Sequence, residues 1–146
     1  MSIPHSILDR PGALLVIAAR RGQERAAQRL MPLGLNVRMC GVLNLLKEEG
    51  PRSQHEIGEL LGIDRTTMVE LVDELEKQGI VKRERSAHDR RSYAVTLTPS
   101  GRATQKRAAR AFDAAADDFF SPLSETERGK LASMLKRLIM RPETHT

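Results

Sequence analysis

The chain has 146 residues, one domain's worth of sequence, and its net charge of +5 points to a polyanionic partner. A single cysteine excludes an internal disulfide, and the absence of zinc-finger Cys/His spacing fits a reducing compartment. No apolar run is long enough to span a bilayer and Met1 to Arg10 has no secretory h-region, so the expected location is the cytoplasm, away from the membrane.

The N-terminal segment reads as a helix, with Leu14, Leu15, Ile17 and Ala18 followed by Leu30 and Met31 beyond an arginine-rich middle. Arg10, Arg20, Arg21, Arg25 and Arg29 oppose only Glu24 there, and two readings stay open: a solvated face, or contact with the polyanion. After a short linker, Met31 to Asn36, the residues Met39, Val42, Leu43 and Leu46 mark a second helix that Gly50-Pro51 stops. Cys40 lies on it. It is either a buried inert thiol or, beside Arg38, an oxidation sensor, because thiolate reactivity follows exposure and nearby positive charge.

Ser53-Gln54-His55-Glu56 has the form of a capping box, in which serine and glutamate satisfy each other's backbone N–H groups and start a helix. Leu60, Leu61 and Ile63 flank Gly62, suited to a tight turn, and Asp64 offers a second N-cap before Arg65. Met68, Leu71, Val72 and Leu75 then form one apolar face of a helix ending near Gly79. Beyond it the period changes. Ile80 to Arg85 reads as a strand, and Tyr93, Val95 and Leu97 alternate with Ala94, Thr96 and Thr98 as its half-buried partner.

The polar loop between these strands holds Ser86, His88, Asp89, Arg90 and Arg91, and Lys82 to Arg91 carries five basic residues against Glu84 and Asp89. Thr98-Pro99-Ser100-Gly101 closes the hairpin, with threonine as N-cap and proline at the first helical position. Ala108, Phe112, Ala116, Phe119 and Phe120 mark a long alanine-rich helix. A second linker, Ser121 to Ser124, ends in the capping box Ser124-Glu125-Thr126-Glu127, which leads into Leu131, Met134, Leu135 and Leu138 on one face.

Two short helices around a tight turn, followed by a basic hairpin, are the parts of a winged helix-turn-helix in the right order. The expected fold is therefore mainly α, an α+β winged helix with a two-stranded wing and N- and C-terminal dimerisation helices. It is a single domain over 1–146, with a DNA-binding part at 37–98 and helical dimerisation parts at 7–31 and 99–140. Neither terminal stripe can be buried well against a compact winged unit alone. A homodimer is the natural outlet, and its two-fold axis would offer two recognition helices to a pseudo-palindrome.

The turn Gly62-Ile63-Asp64-Arg65-Thr66-Thr67 and the run Leu75-Glu76-Lys77-Gln78-Gly79-Ile80-Val81 occur with Asp89-Arg90-Arg91, Val95, Leu97-Thr98 and Gly101. Together with Ser53-Gln54 and Glu56, they make the chain resemble the MarR family of bacterial transcriptional regulators. That resemblance implies a dimeric regulator, in the commonest case a repressor, binding a double-stranded DNA operator without a cofactor. It also implies release by a small aromatic or phenolic effector held between the dimer helices and the winged unit. A departure from the family pattern is Glu70 and Glu74, at positions where arginine is common.

Arg65, Thr66 and Thr67 head the list of expected DNA contacts, with Ser53 and Gln54 as supports, because the first turn of a recognition helix faces the major groove. Thr67 has an alternative task in completing the Asp64 cap. Glu70 accepts from a cytosine amino group, packs beside Arg65, or marks reduced dependence on this helix. In the wing, Arg90 is the expected tip residue for a minor groove. Asp89 and Arg91 are expected to form a salt bridge that shapes the loop, although the resemblance does not decide which arginine has which task.

Against DNA stands the charge of residues 51–98, eight Lys/Arg against nine Asp/Glu, which keeps a protein-binding winged helix as the alternative. An enzyme is not expected. There is no Gly-rich phosphate loop or Gly-x-Ser-x-Gly, and His5, His55, His88 and His145 have no paired nucleophile. His55-Glu56-Ile57-Gly58-Glu59 starts like a zinc-protease helix but has Glu59 where the second histidine belongs, and no other spacing predicts a metal site.

Overall fold

The computed structural model describes residues 2–86 and 93–141. In chain order they form α1 (His5–Leu8), α2 (Pro11–Leu30), a 3-10 turn (Met31–Leu33), α3 (Val37–Glu49), β1 (Arg52–Ser53), α4 (Gln54–Leu61) and α5 (Arg65–Lys77). The hairpin β2 (Val81–Arg85) and β3 (Tyr93–Leu97) follows, then α6 (Pro99–Phe119) and α7 (Glu125–Ile139). No helix among the described residues is long and apolar enough to cross a membrane.

The helix starts are where side-chain acceptors meet orphan N–H groups. Asn36 accepts from the Met39 N–H (2.8 Å), Asp64 from Thr67 (2.8 Å) and Thr98 from Gly101 (2.9 Å). Ser124 and Glu127 complete both halves of their capping box. At Ser53 the serine oxygen accepts from the Glu56 N–H at 3.1 Å, while the Glu56 carboxylate lies 3.8 Å from the Arg52 guanidinium. Glu56 thus faces a cation rather than the serine N–H the capping box requires.

The sheet has three antiparallel strands in the order β1-β3-β2, not the two expected. β1 pairs Arg52 with Val95 and Ser53 with Ala94, directly after the Gly50-Pro51 turn. A two-residue strand has no alternation to read. Val95 and Leu97 point into the core as expected, but Tyr93, opposite Arg85 at the far end of the hairpin, is 53% exposed.

The core lies between α3, α4, α5, the sheet and the first half of α6. Leu30, Val42, Leu43, Ile57, Met68, Val72, Leu75, Val81 and Val95 are fully buried in it, each contributing about 1.5–3 kcal/mol on burial. Thr98 ties α6 to this core: its hydroxyl donates to the Gly79 carbonyl at 2.6 Å, and its N–H to the Ile80 carbonyl at 3.1 Å. Gly101 lies so close to the Ile80 backbone that a Cβ there would collide with the carbonyl oxygen.

Farther along, α6 packs on α3, where buried Gln105 donates to Asn44 at 2.9 Å, and then on α2. Phe119 sits against Gly22, Arg25 lies over its ring at 5.7 Å, and the Arg25 guanidinium reaches Asp118 at 3.3 Å. The aromatic stripe of α6 therefore has a partner within its own chain at the Phe119 end, contrary to expectation, and one of the α2 arginines is held by a carboxylate of α6. The stripe of α7 is different. No residue of α7 is buried, and Met134 and Leu138 are 53% and 61% exposed.

Candidate nucleic-acid interface

Helix α4 ends at Gly62, whose φ of +66° suits a residue without a side chain, and three residues later α5 begins at Arg65. The turn projects the start of α5 outward. Arg65 and Thr66 are exposed there, whereas Met68, Leu71, Val72 and Leu75 hold the opposite face in the core. Thr67 is half-buried, and its hydroxyl donates to the Asp64 carboxylate at 2.7 Å. The two bonds from Thr67, backbone first and hydroxyl second, hold the Asp64 carboxyl below its ordinary pKa. Thr67 is thus engaged in the cap that starts the helix, with its hydroxyl oxygen still able to accept.

An open groove of about 690 Å³ runs between α4, the start of α5 and the hairpin, lined by Ser53, Gln54, Arg65, Arg83 and Tyr93 among others. Three of the expected contacts, Ser53, Gln54 and Arg65, therefore line one groove, and exposed Thr66 follows Arg65 in the first turn of α5. Asp89, Arg90 and Arg91, the expected wing residues, lie outside the described residues.

Arg83, a residue with no role among the sequence expectations, organises this end of the winged unit. Its Nη2 donates to Asp73 at 2.7 Å and to the Gln54 carbonyl oxygen at 3.1 Å, and its Nη1 donates to Glu76 at 3.0 Å. The backbone N–H of Arg83 also donates to Glu76, at 3.2 Å. The only hint in the chain is an Asp and a Glu three apart on the polar face of α5, and nothing local says which arginine meets them.

Most acids of the winged unit have a partner in the structure. Glu56 faces Arg52, Glu59 pairs with His55 at 3.2 Å, Asp64 caps α5, and Asp73 and Glu76 share Arg83. Glu74 accepts from Gln78 at 3.0 Å, and Glu84 pairs with Lys82 at 2.6 Å. Among the described residues only Glu70 of these acids is left without such a partner, and no ion pair joins it to Arg65. Each ion pair engages a cation along with its acid, so the charge sum over 51–98 stands; what the pairing leaves is an exposed Arg65 at the start of α5 with no ion pair of its own among the described residues.

Cys40 is 2% exposed, and burial pushes its thiol up, with the Asp113 carboxylate adding to the effect. The charge that acts on it is thus negative rather than that of Arg38, which suppresses the thiolate. Cys40→Ser is accordingly expected to leave DNA affinity and its response to peroxide unchanged in an electrophoretic shift. Peroxide release of the wild type but not of the variant would instead make this thiol a redox sensor.

A helix-turn-helix with an exposed basic first turn, flanked by a β-hairpin, is the apparatus of a DNA-binding regulator. A family model described as MarR family matches residues 33–92. A putative transcriptional regulatory protein for the hcr operon of Thauera aromatica is 32% identical over 124 residues, covering 82% of this chain and 75% of that protein. A transcriptional repressor, CouR, solved bound to a 23-mer DNA duplex, is 33% identical with a TM-score of 0.85, covering 95% of this chain and 99% of that one. CouR from Rhodococcus jostii RHA1, solved bound to p-coumaroyl-CoA, is 28% identical with a TM-score of 0.81, covering 95% and 98%. The chain belongs to the MarR family of transcriptional regulators. Its relatives are transcriptional regulators rather than enzymes, and one of them is solved on DNA.

Proposed function

We propose that this chain is a homodimeric repressor that reads a pseudo-palindromic operator and is released by a small aromatic or phenolic effector. The observation that carries the reading is the outward first turn of α5, where Arg65 and Thr66 are exposed beside the hairpin and Arg65 has no ion pair to a carboxylate among the described residues. In this reading Arg65, Thr66 and the accepting oxygen of Thr67 meet the major groove, Ser53 and Gln54 meet the phosphate backbone, and Arg90 enters the minor groove. Asp89 and Arg91 shape the wing.

The dimer is supported by α7, which has no fully buried residue in a single chain and leaves Met134 and Leu138 of its apolar face more than half exposed. A two-fold pair joined by 7–31 and 99–140 would set two recognition helices one turn of DNA apart. The DNA-bound and p-coumaroyl-CoA-bound neighbours support binding of both an operator and a small effector. Selection of random duplexes on the purified protein, followed by a metabolite panel against the winner, tests the whole reading. It is expected to yield an inverted repeat from which at least one aromatic or phenolic acid releases the protein. Enrichment of no repeat would overturn the operator reading, and an operator that no such acid releases would overturn the effector.

A further inference from the structure

We infer that Arg83 is a positioning residue for DNA binding: one guanidinium pins the wing to the recognition helix and turns the Gln54 amide so that its NH₂ group is the atom left for DNA. This rests on the reading that the first turn of α5 and the wing lie against DNA.

Arginine only donates, so the Gln54 atom 3.1 Å from Nη2 is the carbonyl oxygen, and the amide nitrogen is left outside that bond on a residue that lines the groove with Arg65. An NH₂ group is a phosphate donor where the carbonyl would repel. The second consequence is electrostatic. Asp73 and Glu76 would join Glu70 as uncompensated charges on the helix that meets a polyanion if Arg83 did not bridge them. The third is geometric: both the backbone and the side chain of Arg83 engage Glu76, which sets how β2 leaves α5 and so where the wing points.

Three acceptors on two helices need a planar fork. A lysine keeps the charge but has no pre-organised fork to serve Asp73, Glu76 and Gln54 together.

The test compares full-length wild type, Arg83→Lys, Arg83→Gln, Gln54→Ala and the Gln54→Ala/Arg83→Lys double variant. Fluorescence anisotropy on the selected operator and on a random duplex is read beside thermal melts. Arg83→Lys is expected to melt within a few degrees of wild type yet bind both duplexes about tenfold more weakly. Gln54→Ala is expected to weaken wild type severalfold and to cost nothing further in the Arg83→Lys background. Wild-type affinity in Arg83→Lys, or the same Gln54→Ala factor in both backgrounds, would overturn the inference. If Arg83→Gln does not fold, the lysine variant decides. An Arg65→Ala control separates the levels: if it is silent on the same duplexes, the placement of α5 on DNA fails, whereas a sensitive Arg65 with a silent Arg83 overturns only the positioning role.

Discussion

Gly101→Ala is expected to destabilise the protein by about 3 kcal/mol or more, a fall on the order of 10 °C in melting temperature. The added Cβ would meet the Ile80 carbonyl, which is backbone and has no rotamer through which to yield. That carbonyl also accepts from the Thr98 N–H, so α6 can retreat only by giving up the bond that seats its first turn on the end of α5. The ordinary benefit of alanine over glycine in a helix, up to about 1 kcal/mol, is far too small to offset the collision. Ser100→Ala, one residue earlier and exposed, is the control and should stay within about 0.5 kcal/mol. A Gly101→Ala protein melting with wild type would mean that α6 does not dock as described.

Met134→Glu combined with Leu138→Glu should convert a dimer into a monomer and lower operator affinity by about a hundredfold or more, because each half-site would then bind without its tethered neighbour. Both side chains are more than half exposed in one chain, so glutamates there cost the isolated fold little. Any large effect therefore reports the surface they would meet in a second chain, where two uncompensated carboxylates are costly to bury. Light scattering is expected to give twice the 16.3 kDa chain mass for wild type and 16.3 kDa for the variant, with unchanged circular dichroism. A wild-type monomer that still binds an inverted repeat would exclude the dimer.

How far the sequence could be read depended on how local each determinant was. The end of α3 and the starts of α4 through α7 were legible because each is marked by a stop or cap: Gly50-Pro51, Ser53, Asp64, Thr98 and Ser124 act on groups within three residues of themselves, whereas Asn36, which caps α3, was read as linker. The apolar faces of α3 and α5 were legible for the same reason, since period 3.6 is written in the chain. Strand β1 was not, because its two residues are a strand only by virtue of β3, more than forty residues away. Gly101 was read as hairpin closure, and its more demanding task, the close approach to Ile80, is a tertiary fact.

Long-range charge pairing was the least legible of all. Nothing near Asp73 and Glu76 in the chain says that Arg83 of the hairpin bridges them, or that the same guanidinium reaches Gln54 of α4. The seat of Phe119 on Gly22 of α2 was hidden likewise, so the aromatic stripe of α6 read as lacking a partner.

The central claim is that the first turn of α5 reads bases while the wing supplies non-specific attraction, and binding isotherms over a range of salt on operator and random DNA test it most directly. Arg65→Ala and Thr66→Ala are each expected to weaken the operator complex by roughly 1 to 3 kcal/mol and to leave random DNA nearly unaffected, as loss of a base contact requires. Arg90→Ala should weaken both and reduce the salt slope by about one, as loss of one phosphate-neutralising charge requires. Glu70→Gln should tighten non-specific binding if that carboxylate repels phosphate, or relax preference at one base pair if it accepts from a cytosine. Silence of Arg65, Thr66 and Arg90 together on the selected operator would contradict the account and remove DNA from this face of the protein.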